Sequence, residues 1–123
     1  MIKLRRSDGS LTLQFGGQKY TLTGEYLRVY SPSAEVKGHG PGQEVLQFGK
    51  KEVKVDKLEP MGRYAVRITF DDGHDTGIYS WEYLYDLCAN HDRRWQDYLE
   101  RLHQAGKHRD PEVQVVQLIT PKK

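Results

Sequence analysis

The sequence predicts an α+β fold: a largely antiparallel sheet built from hairpins, closed by one long or two short C-terminal helices. Three observations carry this. Leu11, Leu13 and Phe15, and again Val66, Ile68 and Phe70, alternate with polar residues, the period of a half-buried strand. Gly16-Gly17 and Asp72-Gly73 follow those runs and supply the positive φ of tight hairpin turns. From Ser80 onward the apolar spacing becomes helical, and no strand–helix alternation of the parallel kind precedes it.

The 123 residues make one domain over 1–123, with a core from about 11 to 106 and a polar C-terminal tail. Only 37% of residues are hydrophobic, but eight Tyr, three Phe and two Trp can supply much of the buried area. The 19 basic and 17 acidic residues are interspersed, for a net charge of +2, which gives nucleic-acid binding no footing. The single cysteine cannot form an intramolecular disulfide, and the start MIKLRRSDG lacks an apolar export segment, so the expected compartment is the cytoplasm. No window is apolar enough to span a membrane.

In chain order, residues 2–6 and 11–15 flank Asp8-Gly9 as a first hairpin. Residues 23–30 form a short helix, with Thr23 or its neighbour as N-cap and Ser31-Pro32 as the stop. SPSAEVKGHGPGQ, residues 31–43, reads as one long loop, and loops of that length are commonly functional, which singles out His39. EVKVD over 52–56 alternates as a strand, Pro60-Met61-Gly62 reads as a turn, and Tyr64 to Phe70 as the central strand. Ser80 caps a helix carrying Trp81, Leu84 and Cys88 on one stripe. Trp95, Leu99, Leu102 and Ala105 continue the pattern to Gly106 as C-cap. Asn90-His91-Asp92 leaves one helix or two open. VQVVQLI, residues 113–119, reads as a last strand.

An internal echo joins two of these regions. Phe15, Gly16-Gly17 and Glu25-Tyr26-Leu27 recur as Phe70, Asp72-Gly73 and Glu82-Tyr83-Leu84, either one repeated strand–turn–strand–helix unit or two ordinary hairpins. The echo bears on FDDGHDTGIYSWEYLYDLC, residues 70–88, which crowds four Asp, one His and the cysteine. Because the first copy builds its turn from glycines, Asp72-Gly73 reads mainly as turn chemistry. His74 and Asp75 satisfy neither a calcium loop nor a His-x-Asp iron pair. Cys88 and His91 stand three apart, a chelating geometry on a continuous helix, but two ligands are too few without His74, Asp75 or another chain. Tyr79, Trp81, Tyr83 and Tyr85 alternate across the helix start. Trp81 is expected inward and Tyr83 or Tyr85 partly exposed, as an aromatic patch suited to a partner.

YSPSAEVKGHGPGQ, RYAVRITFDDGHDTGIYSWEYLYDLC and RRWQDYLERL together resemble the gamma-butyrobetaine hydroxylase-like N-terminal domain family, in its small stand-alone bacterial form, a domain of unknown function. In the large hydroxylases such a domain precedes an iron and 2-oxoglutarate oxygenase domain and carries a zinc site of three Cys and one His. Related domains are appended to ATPases of iron–sulfur cluster assembly. The matching stretch here is Tyr83-Leu84-Tyr85-Asp86-Leu87-Cys88, with Asn90 and Arg93 where the second and third Cys belong. The oxygenase domain is absent, so the resemblance implies a stand-alone binding domain.

The leading expectation is a non-catalytic cytoplasmic interaction module, connected with metal or iron–sulfur cluster handling. Its protein partner would meet His39, Tyr79, Tyr83 and Tyr85, with the chain a monomer or homodimer. The alternative is a zinc or iron protein whose ligands are Cys88, His91, His74 and Asp75. A Cys88–His91 enzyme is the most distant reading.

Overall fold

The computed structural model describes residues 1–38 and 40–111. His39, the tail and the strand expected over 113–119 lie outside the described residues. Strands β1 (Ile2–Arg5), β2 (Ser10–Phe15) and β3 (Gln18–Leu22) form an antiparallel sheet in that order. Phe15 pairs with Gln18, which leaves Gly16-Gly17 as a two-residue turn with Gly16 at φ +59°. Glycine adopts that conformation without a Cβ clash. Helix α1 (Gly24–Val29) follows at once, the Thr23 hydroxyl oxygen accepting from the Tyr26 N–H at 3.1 Å.

The stretch read as one long loop contains a helical turn, α2 (Ala34–Lys37). The Ser33 hydroxyl oxygen accepts from the Glu35 N–H at 3.1 Å, and Gly38 ends the turn at φ +75°. Four residues between Pro and Gly punctuation are too short to show a helical period, which is why the sequence hides them.

A second antiparallel sheet runs β4 (Val55–Met61), β5 (Ala65–Phe70), β6 (Gly77–Ser80). The strand expected over 52–56 lies later than its alternation suggests. Val53 packs on the core, but its N–H bonds back to Lys50 in a turn, and pairing starts at Val55. Pro60 and Met61, expected in a turn, belong to β4. That is an edge strand, where proline's missing donor costs least. Helix α3 (Trp81–Ala89) then starts as α1 does, the Ser80 hydroxyl oxygen accepting from the Tyr83 N–H at 3.0 Å.

The internal echo is therefore a repeated architecture: three antiparallel strands, then a hydroxyl-capped helix. The two helices also bond reciprocally. Tyr26 Oη donates to the Leu87 carbonyl at 2.7 Å, and Tyr83 Oη donates to the Tyr30 carbonyl at 2.6 Å. Tyr26 matches Tyr83 in the echo, and Tyr30 matches Leu87, so one contact is made twice in opposite directions.

Asn90 separates α3 from α4 (His91–Ala105), so the C-terminal region is two helices. Gly106 closes α4 at φ +67°, its N–H bonding to the His103 carbonyl. The main core joins both units through Leu11, Leu13, Tyr26 and Leu27 from the first and Ile68, Phe70, Tyr79 and Leu84 from the second. Burying each such aliphatic side chain contributes about 1.5–3 kcal/mol. A smaller cluster of Val29, Tyr98 and Leu102 attaches α4. Ala105, expected on the apolar stripe, is exposed, and Tyr98 takes the buried face instead.

Candidate functional site

The acid-rich loop between β5 and β6 is consumed by structure. Asp71 Oδ1 accepts from the Lys54 N–H at 3.1 Å. Asp72 Oδ2 accepts from Arg28 Nε and Lys50 Nζ, both at 2.9 Å, and Asp72 Oδ1 accepts from the His74 N–H at 3.2 Å. Burial alone would raise this carboxyl's pKa, but Lys50, the His74 N–H and Arg28 outweigh burial and hold it at about 2. The His74 ring is enclosed, with Nε2 2.8 Å from Ser31 Oγ and Nδ1 3.1 Å from Glu35 Oε1. The Glu35 carboxylate can only accept, which places the imidazole proton on Nδ1 and leaves Nε2 to accept from the Ser31 hydroxyl. Burial, then the Arg28 charge, hold the pKa of His74 below its ordinary value. Gly77 completes the joint, because a Cβ there would stand 2.5 Å from Ser31 Oγ. These contacts fasten α2 and its flanking loop to the second sheet.

The four residues expected to share a metal do not converge. His74 and Asp75 sit on the β5–β6 loop, Asp75 exposed, whereas Cys88 and His91 line a shallow depression of about 540 Å³ at the α3–α4 corner. Among the described residues, no three His, Cys, Asp or Glu side chains are grouped to hold a metal ion. Cys88 is buried, and burial pushes its thiol up to about 11, away from the thiolate that ligation or nucleophilic attack needs. His91 stacks on Tyr26, ring centroids 4.6 Å apart, with Nδ1 3.0 Å from Asp92 Oδ1.

The aromatic run divides at the strand–helix boundary. Tyr79, expected at a contact surface, is wholly buried on β6, its hydroxyl donating to the Leu27 carbonyl at 2.6 Å. That placement is a correction: Tyr79 belongs to a strand and its three companions to a helix, so their alternation marks no common face. Trp81 is half-buried and donates through Nε1 to the Arg63 carbonyl at 2.9 Å. Tyr85 is half-exposed, its ring edge-on to Phe15 at 5.3 Å. Tyr83 lies half-buried along a larger cavity.

That cavity, about 760 Å³, is walled by the C-terminal end of α1, by α2 with the loop to Gln47, and by α4. A volume of this order suits a small molecule or a few side chains of a partner. Its polar wall is made of guanidinium groups stacked on phenols. The Arg94 guanidinium lies 5.1 Å from the Tyr30 ring centre and 5.8 Å from that of Tyr83, and Arg101 lies 5.8 Å from Tyr30. Lys37 Nζ stands 5.3 Å over Tyr83 from the α2 side. Arg94 Nη2 pairs with Asp86, and Arg101 Nη2 donates to Tyr30 Oη at 3.2 Å. Arg94 Nε and Arg101 Nε are buried without an acceptor. For Arg101, Asp97 Oδ2 is 3.3 Å away but not aligned to accept. Tyr98 Oη donates to the Gln47 carbonyl at 2.8 Å and fixes α4 to the pocket loop. Burial raises the Tyr83 phenol to about 12, so it stays a donor. Arg94, Tyr98 and Arg101 stand at i, i+4 and i+7; that helical face is the sequence signal that points to the pocket.

Fold and site together define a small α+β domain of two repeated units with a basic, aromatic pocket at one seam. The chain belongs to the family described as gamma-butyrobetaine hydroxylase-like, N-terminal, whose model matches residues 2–85. Helix α4, and with it Arg94 and Arg101, lies beyond the matched residues. Two proteins solved in solution by NMR are similar. One is 50% identical with a TM-score of 0.82, covering 97% of this chain and 94% of its own. The other is 51% identical with a TM-score of 0.75, covering 90% and 83%. A crystal structure of a protein of unknown function from Acidithiobacillus ferrooxidans ATCC 23270, placed in the DUF971 family, is 36% identical with a TM-score of 0.59. It covers 72% of this chain and 90% of its own. No curated protein matches the chain. Among the described residues, no helix is long and apolar enough to cross a membrane.

Proposed function

We propose that this domain is a non-catalytic cytoplasmic interaction module that holds a protein partner through the pocket between α1, α2 and α4. The observation that supports this reading is the pocket's composition: two guanidinium groups held over tyrosine rings, beside apolar Val36, Val45 and Leu46. Arginine–aromatic clusters of this kind anchor protein interfaces. The pocket's hydroxyls are engaged with carbonyls, and its cations are not arranged as a nucleophile with a base. The test is photocrosslinking in the source cells from benzoylphenylalanine at Val45, on the pocket rim, with Tyr64, exposed on the far hairpin, as control. A discrete adduct from position 45 that is absent from position 64 and lost in Arg101→Gln is the expected result. Equal adducts from both positions, or none, would sink the reading.

A second reading is a metal site shared with a partner at the α3–α4 corner, because Cys88 and His91 line the same depression. It calls for zinc or iron in the purified, untagged protein by elemental analysis, lost in Cys88→Ser. A metal-free protein that folds normally removes it.

A further inference from the structure

We infer that residues 113–119 (VQVVQLI), which lie outside the described residues, dock as an added strand along residues 44–48 and cover the rim of the pocket. This goes beyond the partner contact proposed above, because the occupant is the chain's own tail.

The rim segment has one satisfied edge and one open edge. Residues 43–48 belong to no helix or strand. The Val45 N–H donates to the Val36 carbonyl at 2.8 Å, and the Gln47 carbonyl accepts from Tyr98 Oη at 2.8 Å. The alternate residues Glu44 and Leu46 make no backbone hydrogen bond among the described residues. In an extended chain alternate peptide groups face opposite edges, so 45 and 47 are tied to α2 and α4 while 44 and 46 are left for a further strand. Apolar surface accompanies the open edge, since Val45 is 51% exposed and Phe48 36%.

The tail departs beside this edge. Two bonds from Arg109, of 2.9 and 2.8 Å, hold it to the buried Glu25 carboxylate. The His108 carbonyl accepts from the Gly49 N–H at 2.9 Å and the Arg109 carbonyl from the Lys51 N–H at 3.1 Å. A Cβ added at Gly49 would stand 3.4 Å from Pro111 Cα. A strand that starts beside Gly49 meets Phe48 first and Glu44 last, which makes the pairing antiparallel. Its length suffices, because five rim residues span about 16 Å and seven tail residues about 23 Å.

Composition suits the tail to the place. Of residues 113–119, five are Val, Leu or Ile and two are Gln. Such a run forms a strand and needs both an edge to pair with and apolar surface to cover. It also brings no charge to a pocket whose arginines are already paired, Arg94 with Asp86 and Arg101 with Asp97. Any partner that meets position 45 then competes with the tail.

The experiment follows the full chain by NMR, reading amide exchange at Glu44 and Leu46 and NOEs between residues 44–48 and 113–119. It compares the parent with Val115→Pro and Val116→Pro. Neighbouring residues face opposite edges, so one of the two prolines removes a ladder bond in either register. The parent should show NOEs between the two segments. The more damaging proline should speed exchange at Glu44 and Leu46 at least about tenfold, while the amides of β2 keep their rates. Unprotected amides in the parent, with no NOE between the segments, would overturn the docking. Equal protection in all three chains would overturn it too, since something other than the tail would then shield the edge. NOEs seen only between differently labelled copies would hand the edge to the tail of a second copy. If a proline variant fails to fold, the NOEs of the parent decide alone.

Discussion

The two repeated units differ most at their hairpin turns. Residues 10–30 turn through Gly16-Gly17, and a Cβ added at either glycine would meet nothing within 4 Å. Residues 65–87 turn through 71–76, whose Asp72, His74 and Thr76 bond to Arg28, Ser31 and Ser33. The strands, the hydroxyl caps and the tyrosine contacts are held in common. The turn of the first unit is thus frame alone, while the longer turn of the second grips the segment that walls the pocket. A duplicated scaffold acquires a one-sided site where its copies depart from each other.

If the units are equivalent in the core, Leu27→Ala and Leu84→Ala should each cost about 2–5 kcal/mol, since both side chains are fully buried at matching positions. Urea unfolding checks this, and a cost below about 1 kcal/mol at either position would break the equivalence. Next in size are Tyr26→Phe and Tyr83→Phe, each stranding a carbonyl of the opposite helix at about 1–3 kcal/mol. Tyr26 should be the costlier because it is fully buried while Tyr83 borders the cavity. Thr23→Ala and Ser80→Ala should cost about 1 kcal/mol each through loss of the caps.

The smallest effect at neutral pH, and one that sharpens the contrast, belongs to the second unit alone. His74 is held neutral with its pKa depressed, so below the ordinary imidazole value the unfolded chain binds the extra proton. Stability is therefore retained above that value and falls as pH drops below it. Asp72, depressed from 3.8 to about 2, adds a further loss across that lower interval. Hydrogen exchange on acidification should open α2 before β1 to β3, and His74→Gln should flatten the first decline. Simultaneous opening of both units would show that the loop does not act as a separate fastening.

Local chemistry was legible in the sequence. The Gly16-Gly17 turn, Thr23 and Ser80 as caps and Gly106 as stop each depend on neighbours within four residues, and each is where the spacing places it. Features set by distant partners were not legible. Val53 reads as a strand residue because it is apolar and alternates, yet its packing comes from a turn. Tyr79 reads with Tyr83 and Tyr85 until the strand ends beneath it. Of the candidate site, Tyr83 was visible through its aromatic run, but Tyr30, Arg94 and Arg101 meet only once α4 folds back over α1.

The exchanged tyrosine contacts also bear on how the chain is made. Synthesis delivers Tyr26 well before Leu87, so the first unit leaves the ribosome with its buried phenol lacking an acceptor, and Tyr30 offers its carbonyl to a residue not yet present. Neither half satisfies itself. The domain is interlocked like a clasp, and residues 1–30 expressed alone should remain unfolded by circular dichroism until residues 50–111 are supplied.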